Sequence, residues 1–134
     1  RKVTPMTLSA FRQARNKLRE CGSILTGLDR PLKNENGEKY QPTFFGEPCC
    51  LPVAYVRMAK EANAPVILMA ATSLPNQKYR LVGSLPIWME TSDDLETEIL
   101  SNANRVLSES EKLIRTYARQ WAMFYPIWPK FLGV

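Results

Sequence analysis

Three short motifs in the first half of the chain carry side chains that could bind a ligand or take part in chemistry. Asp29 and Arg30 follow a short apolar run, residues 44–47 spell Phe-Phe-Gly-Glu, and Arg57 lies in a helical pattern. The predicted position of Asp29 and Arg30 is the carboxyl end of a strand, where ligands usually bind in α/β sheets. Arg57 offers a planar fork that suits a phosphate group.

Each motif also has an interpretation without a ligand. Asp29 and Arg30 could form a capped turn with an exposed ion pair, and Arg57 could be a solvated helix residue or part of a structural salt bridge. In the Phe-Phe-Gly-Glu motif, Phe44 and Phe45 could wall a pocket beside a tight turn at Gly46. Glu47 would then face the site and pair with a base. The alternative is two core aromatic residues followed by a surface carboxylate.

The chain has no histidine, and this excludes several kinds of site. No Ser-His or Cys-His nucleophile and no His-ligated zinc can be built from these residues alone. The three cysteines, Cys21, Cys49 and Cys50, are an odd number with two adjacent, which predicts reduced thiols and no disulfide framework. We therefore predict no metal site and no catalytic residue within the chain.

Composition predicts one ordinary folded domain over residues 1–134. Apolar residues make up 45% of the chain and its formal net charge is +5. No apolar run approaches the roughly 20 residues that span a bilayer, and no nucleic-acid motif is present, so we predict no nucleic-acid partner. The charge and a tail rich in Trp, Tyr and Phe would suit an anionic membrane surface. The alternative for the tail is docking on the sheet.

The hydrophobic patterns predict the elements that must position these motifs. We expect an α/β fold with a mixed sheet of about three to five strands flanked by helices, forming part of a larger sheet. A long amphipathic helix lies near the C-terminal end, with N-cap candidates at 91–94. The predicted helices cover 6–20, 52–62 and 95–121, and the predicted strands cover 23–28, 66–71 and 79–83, the last two as an antiparallel pair joined by a turn at 75–78.

The order of the motifs resembles one known family. Leu18 to Gly22 precede a short apolar run that ends at Asp29, and a variable loop leads to Phe-Phe-Gly. Further matches are Val-Arg-Met-Ala at 56–59, Asn-Ala-Pro-Val at 63–66 and Gln-Trp at 120–121. Together they resemble, over residues 15–129, the C-terminal half of the bacterial lipid A biosynthesis acyltransferases, which are lauroyl and myristoyl transferases of the lysophospholipid acyltransferase superfamily. Phosphatidylinositol mannoside acyltransferases are relatives.

The resemblance implies an activity that this chain would share with residues outside it. The family moves a fatty acyl group from a thioester, acyl carrier protein or coenzyme A, to a hydroxyl of a lipid, and holds no bound cofactor. Its catalytic signature, a His and an acidic residue with four residues between them, is expected upstream, because the chain begins at Arg1 and has no His. The chain alone is expected to be inactive. The implied location is the cytoplasmic face of the inner membrane, as a peripheral protein or with an anchor upstream.

By the same resemblance, the chain supplies pocket and acceptor-side residues. The implied substrate-binding set is Asp29, Arg30, Phe44, Phe45, Gly46, Glu47 and Arg57. The alternative is a non-catalytic α/β module that binds lipid or a membrane surface. A thin sheet taken from a larger one would leave an unpaired edge, which predicts dimers through that edge.

Overall fold

The computed structural model describes residues 7–31 and 40–131, which form three α-helices and two antiparallel strand pairs. No helix in these ranges is both long and apolar enough to cross a bilayer. The α-helices are α1 (Leu8–Arg19), α2 (Ala54–Ala62) and α3 (Leu95–Thr116), and the strands are β1 (Thr43–Phe44), β2 (Glu47–Pro48), β3 (Met69–Leu74) and β4 (Lys78–Gly83). Short 3₁₀ turns follow at Pro75–Gln77, Ala118–Gln120 and Pro129–Phe131.

Helix α1 begins and ends with defined caps. The Thr7 hydroxyl accepts a hydrogen bond from the first turn, and the Gly22 N–H donates to the Lys17 carbonyl at 2.9 Å. The sequence predicts that Cys21-Gly22 ends the helix, with Gly22 in the left-handed conformation. The helix does end there, but the left-handed residue is Cys21, with φ of 59°. Gly22 is required for a different reason, because a Cβ on it would lie 2.6 Å from the Lys17 carbonyl oxygen.

Helices α1 and α2 are joined by charged groups around Glu61. Arg15 donates to the Glu61 carboxylate at 3.0 Å, and Arg19 donates to the Glu61 carbonyl at 2.9 Å. The hydrogen bond from Arg15 is the main cause that lowers the pKa of Glu61. An Asn directly after the predicted helix 52–62 predicts a C-cap at Asn63. This is confirmed, because Asn63 adopts the left-handed conformation and ends α2.

The predicted antiparallel pair is confirmed as the β3–β4 hairpin, with Met69 opposite Gly83 and Leu74 opposite Lys78. The chain turns through Asn76 and Gln77, both with positive φ. Beyond the open end of the hairpin, Val66, which precedes β3, and Ile87, which follows β4, exchange both backbone hydrogen bonds and extend the pairing.

The predicted mixed sheet of about three to five strands is not observed. Each sheet of the described chain has two antiparallel strands. The prediction of a strand over 23–28 is wrong. Within the described residues, 7–31 and 40–131, no backbone hydrogen bond joins this segment to another one. The apolar run at 66–71 does not alternate with polar residues, which predicts a strand buried on both faces. That prediction is also wrong, since Ile67 and Met69 are 52% and 59% exposed. Apolar runs show which residues seek burial but not whether a neighbouring strand is present.

Helix α3 carries the core. Asp94 accepts a hydrogen bond from the Thr97 N–H at 2.7 Å and caps the helix, as predicted. The helix ends at Thr116, five residues before the predicted end at 121. Its inner face enters three apolar clusters through four fully buried residues, which are Ile99, Ala103, Val106 and Leu107. Asn102, also buried, bonds both backbone groups of Glu90 and fixes the chain entering the helix.

A charged contact ties α2 to the start of α3. The Lys60 ammonium lies 2.7 Å from a Glu98 carboxylate oxygen, which also accepts the Ser92 N–H at 3.0 Å. The hydrogen bond from Lys60 is the main cause that lowers the pKa of Glu98, and the bond from the Ser92 N–H lowers it further.

We expect Glu98→Gln to reduce stability in a pH-dependent manner. A carboxyl whose pKa is lowered by folding stabilises the folded state above its unfolded pKa, and that contribution is lost as pH falls through the folded value. The wild type should therefore be more stable than Glu98→Gln at pH 7, and the difference should shrink as pH falls below the ordinary value of 4.5. Urea unfolding between pH 3 and 7 measures it, with Glu96→Gln, an exposed acid on the same helix turn, as control. A difference that is constant with pH would contradict the prediction.

Candidate functional site

An apolar groove of about 370 Å³ lies beside the first residues of the β3–β4 hairpin. One wall is the segment 24–28 and the other is the segment 64–70, while Ser110, Leu113 and Ile114 of α3 and Trp121 complete the lining. Ligand pockets in proteins have volumes of roughly 300–1,000 Å³, so the groove has room for a small or elongated ligand.

Four polar residues are in the lining of this groove. Thr26 belongs to the segment 24–28 and Asp29 lies where that segment ends, while Tyr55 and Ser110 come from α2 and α3. The Tyr55 hydroxyl is buried and has no hydrogen-bond partner among the described residues. Burial raises the pKa of Tyr55 and the nearby Cys49 raises it further. Tyr55 is therefore a neutral hydroxyl at physiological pH, with a donor and an acceptor left to satisfy.

The Phe-Phe-Gly-Glu motif forms the turn of the β1–β2 hairpin, which we call the Phe45 hairpin. Phe44 pairs with Glu47, and the two residues between them have positive φ, 51° at Phe45 and 81° at Gly46. This sign pattern is that of a type I′ turn, which favours Asn or Gly at both positions. The tight turn predicted at Gly46 is present. A Phe in the left-handed region is unusual and must be held by its surroundings.

Four neighbours hold Phe45 in this conformation. Its backbone N–H donates to the Glu111 carboxylate of α3 at 2.7 Å. Its ring lies 4.6 Å from the Phe44 ring and 6.0 Å from the Trp121 ring, measured between centroids. The Arg115 guanidinium lies 5.0 Å from the ring centroid, a cation–π contact. Since Trp121 also lines the groove, the hairpin is joined to the groove through this one side chain.

Part of the aromatic tail docks on the Phe45 hairpin. The Trp128 ring stacks on Phe44, and its indole N–H donates to the Phe44 carbonyl at 3.0 Å. Ile127 is fully buried beside them. The part of the tail just before these residues is exposed to solvent, with Phe124 85% and Tyr125 49% exposed. The Arg30 guanidinium lies 5.6 Å from the Tyr125 ring centroid.

Of the seven residues selected from the sequence, one lines the groove and two others contact aromatic residues of the tail. Asp29 lines the groove, Arg30 contacts the exposed tail, and Phe45 contacts Trp121. Phe44 belongs to the core, as its alternative interpretation held, and Glu47 forms a surface ion pair with Lys130 at 2.7 Å.

Arg57 does not join this cluster. It lies on α2, its side chain is 56% exposed, and its guanidinium is 3.5 Å from the Glu61 carboxylate. The groove lining does not include it. The contact matches the salt-bridge interpretation of Arg57.

Sequence reasoning missed three residues that shape the site, Tyr55, Glu111 and Gln120. Glu111 belongs to a charged helix face that was interpreted as solvated, and its partner is 66 positions away. Gln120 was part of the Gln-Trp motif, but no role followed from the motif. Only Tyr55 carried a local signal, because an aromatic hydroxyl on the apolar face of a helix needs a polar partner.

A second hollow of about 550 Å³ lies elsewhere, between the segment 84–90 and α3. Its polar groups are already joined, since Arg105 lies 3.1 Å from the Glu90 carboxylate. None of the residues selected from the sequence lines it. In the part of the chain that the structure describes, no three His, Cys, Asp or Glu side chains are grouped to hold a metal ion.

Comparison with known proteins leaves the family open. No protein-family model matches this chain, and a search of curated proteins finds no similar sequence. The resemblance to the acyltransferases therefore stands on the motifs themselves.

We expect Glu111→Ala to destabilise the protein and Glu111→Gln to do so much less. Alanine leaves the Phe45 N–H without an acceptor, a loss of about 1–3 kcal/mol for a buried donor, whereas the Gln carbonyl can still accept. Urea unfolding followed by tryptophan fluorescence measures both variants, because Trp121 and Trp128 pack at the hairpin. Equal stability of the wild type and Glu111→Ala would show that Glu111 does not hold the turn.

Proposed function

We propose that this chain is part of a membrane-associated acyltransferase and supplies its acceptor side. The reaction moves a fatty acyl group from a thioester of acyl carrier protein or coenzyme A to a hydroxyl of a glycolipid or phospholipid. In that reaction the hydroxyl oxygen attacks the thioester carbonyl, a base takes the hydroxyl proton, and the thiol leaves. The base comes from outside these 134 residues, which contain no His. The proposed location is the cytoplasmic face of the inner membrane.

One observation carries the proposal. Asp29 and Arg30 are far in the sequence from the Phe45 hairpin and the aromatic tail, yet Arg30 contacts Tyr125 of the tail, and Phe45 contacts Trp121, which lines the apolar groove together with Asp29. Asp29, the Phe-Phe-Gly motif and the Gln-Trp motif were each matched to the acyltransferases. Their convergence is what a shared binding site requires.

The chemistry of the cluster suits the head group of a lipid acceptor. Arg30 is exposed, so its guanidinium can contact a phosphate while stacked on Tyr125. The Asp29 carboxylate can accept a hydrogen bond from a sugar or glycerol hydroxyl and orient it. Leu25 and Phe124 are 78% and 85% exposed, so their apolar side chains can enter the membrane interface.

We expect Asp29→Asn to lower acyl transfer by about 10-fold or more, since a hydrogen bond to a charged group contributes roughly 1.5–3 kcal/mol. The coding frame that contains residues 1–134 is expressed, and transfer of a lauroyl group from acyl carrier protein or coenzyme A to a lipid extract is followed by mass spectrometry. Asp93→Asn makes the same change at an exposed position ahead of α3 and should leave the rate unchanged. Full activity of Asp29→Asn would contradict a role in acceptor binding.

The second candidate is a lipid- or membrane-binding module without catalysis. The specific observation in its favour is that Leu25, Phe124 and Tyr125 are exposed and that the Arg30 guanidinium lies over the Tyr125 ring. This surface is complete within the chain and needs no base.

For either candidate we expect the 134-residue chain to sediment with anionic vesicles at low salt and to be released as salt is raised, because the attraction is electrostatic. Phe124→Ser should weaken the binding several-fold. Leu95→Ser removes an exposed apolar side chain at the start of α3, away from the surface, and should not. Binding without any acyl transfer by the expressed coding frame favours the module, and absence of binding at low salt contradicts both candidates.

A further inference from the structure

The hairpin strand β3 has one edge paired with β4 and a second edge that faces the groove. The Ser84 N–H donates to the Leu68 carbonyl at 3.0 Å, and the Leu68 N–H donates to the Ser84 hydroxyl at 3.0 Å. Hydrogen-bonded positions alternate along an antiparallel strand. The peptide groups of Ile67, Met69, Ala71 and Ser73 therefore point to the opposite edge.

At Ser73 this second edge is closed by a side chain. The Ser73 N–H donates to the Gln120 side-chain carbonyl at 2.6 Å, and the Gln120 amide donates to the Ser73 carbonyl at 3.3 Å. The Gln120 amide thus takes the place of a peptide group on a neighbouring strand. The open part of the edge is limited to residues 67–71.

The opposite wall of the groove also presents unpaired peptide groups. Residues 24–28 make no backbone hydrogen bond to another described segment. Two backbone segments with donors and acceptors that are unpaired among the described residues thus flank one apolar slot, and the buried Tyr55 hydroxyl in the slot also has no partner there. Burying such groups without hydrogen bonds is costly. An acyl chain would cover them and satisfy none of them, whereas a peptide strand satisfies groups on both sides.

The surfaces around the slot also suit a strand. Leu113 and Ile114 line it from α3, while Ile67 just before β3, Met69 on β3 and Leu81 on β4 are more than half exposed. An added strand places alternate side chains on the two faces of the sheet, so it would cover both surfaces. The β3 strand of a second copy does not fit, because it already has β4 on one edge and the slot needs a strand with two free edges.

We propose that the groove binds an extended peptide segment of a separate partner protein, apolar at alternate positions and about five residues long. It would pair with residues 67–71 on one edge and with residues 24–28 on the other. The inference does not depend on the proposed acyl transfer.

The test uses the 134-residue chain and three capped hexapeptides of alternating valine and threonine. One is unmodified, one is N-methylated at the valines and one at the threonines, which removes the N–H donors from one edge or the other. The unmodified peptide should slow amide hydrogen exchange at Ile67, Met69 and Ala71 by at least 10-fold. Amides that face β4, at Ala70 and Thr72, should be unchanged and serve as internal controls. Both methylated peptides should fail, since a slot that uses two edges tolerates neither.

A matched pair of variants tests whether the open edge of β3 binds the peptide. Ala71→Pro removes an N–H that β4 does not use, and proline is tolerated at such edge positions, so hairpin protection should persist while peptide binding is lost. Ala71→Thr keeps the N–H and should bind. The proposal is overturned if dodecanoate protects these amides and the peptides do not, or if protection appears without peptide at high protein concentration together with a dimer in sedimentation.

Discussion

The buried face of α3 holds α2, both hairpins and the tail of the described structure. Ile99 and Ala103 pack against α2, Val106 packs against Leu68 and Ile87 at the open end of the β3–β4 hairpin, and Leu107 packs against the Phe45 hairpin and the tail. With only two-stranded sheets, the described structure has no central sheet to fix its elements. The helix takes this role for these elements, whereas α1 is held by α2 through Glu61.

The same helix builds the candidate site from its last two turns. Ser110 and Leu113 line the groove, Glu111 fixes the backbone of Phe45, and Arg115 covers the Phe45 ring. An unfavourable left-handed Phe is thus retained next to Trp121, where a Gly or Asn would form the turn more easily but lack the ring. That a conformation with a cost persists at this point fits a binding role for the hairpin tip.

Local patterns predicted the elements whose causes are local. The Asp94 cap, the Asn63 C-cap, the Gly46 turn and the β3–β4 pairing each follow from a few adjacent residues. The predictions that failed concern features that depend on residues far away in the sequence. The run at 23–28 has strand composition but no strand beside it, and Glu111 looked solvated because its acceptor role involves a peptide group 66 positions away. Asp29 lines the groove and Phe45 contacts Trp121, another residue of its lining, whereas Arg57 is held at Glu61 away from the groove.

The central claim is that the cluster of Asp29, Arg30, the Phe45 hairpin and the exposed tail meets the head group of a membrane lipid. The most direct measurement is photo-crosslinking from anionic vesicles that carry a phospholipid with a diazirine on its head group, followed by peptide mapping. The account predicts crosslinks at residues 29–30 and 124–125, next to the hairpin. Crosslinks confined to α1 or to the exposed face of the β3–β4 hairpin would contradict it.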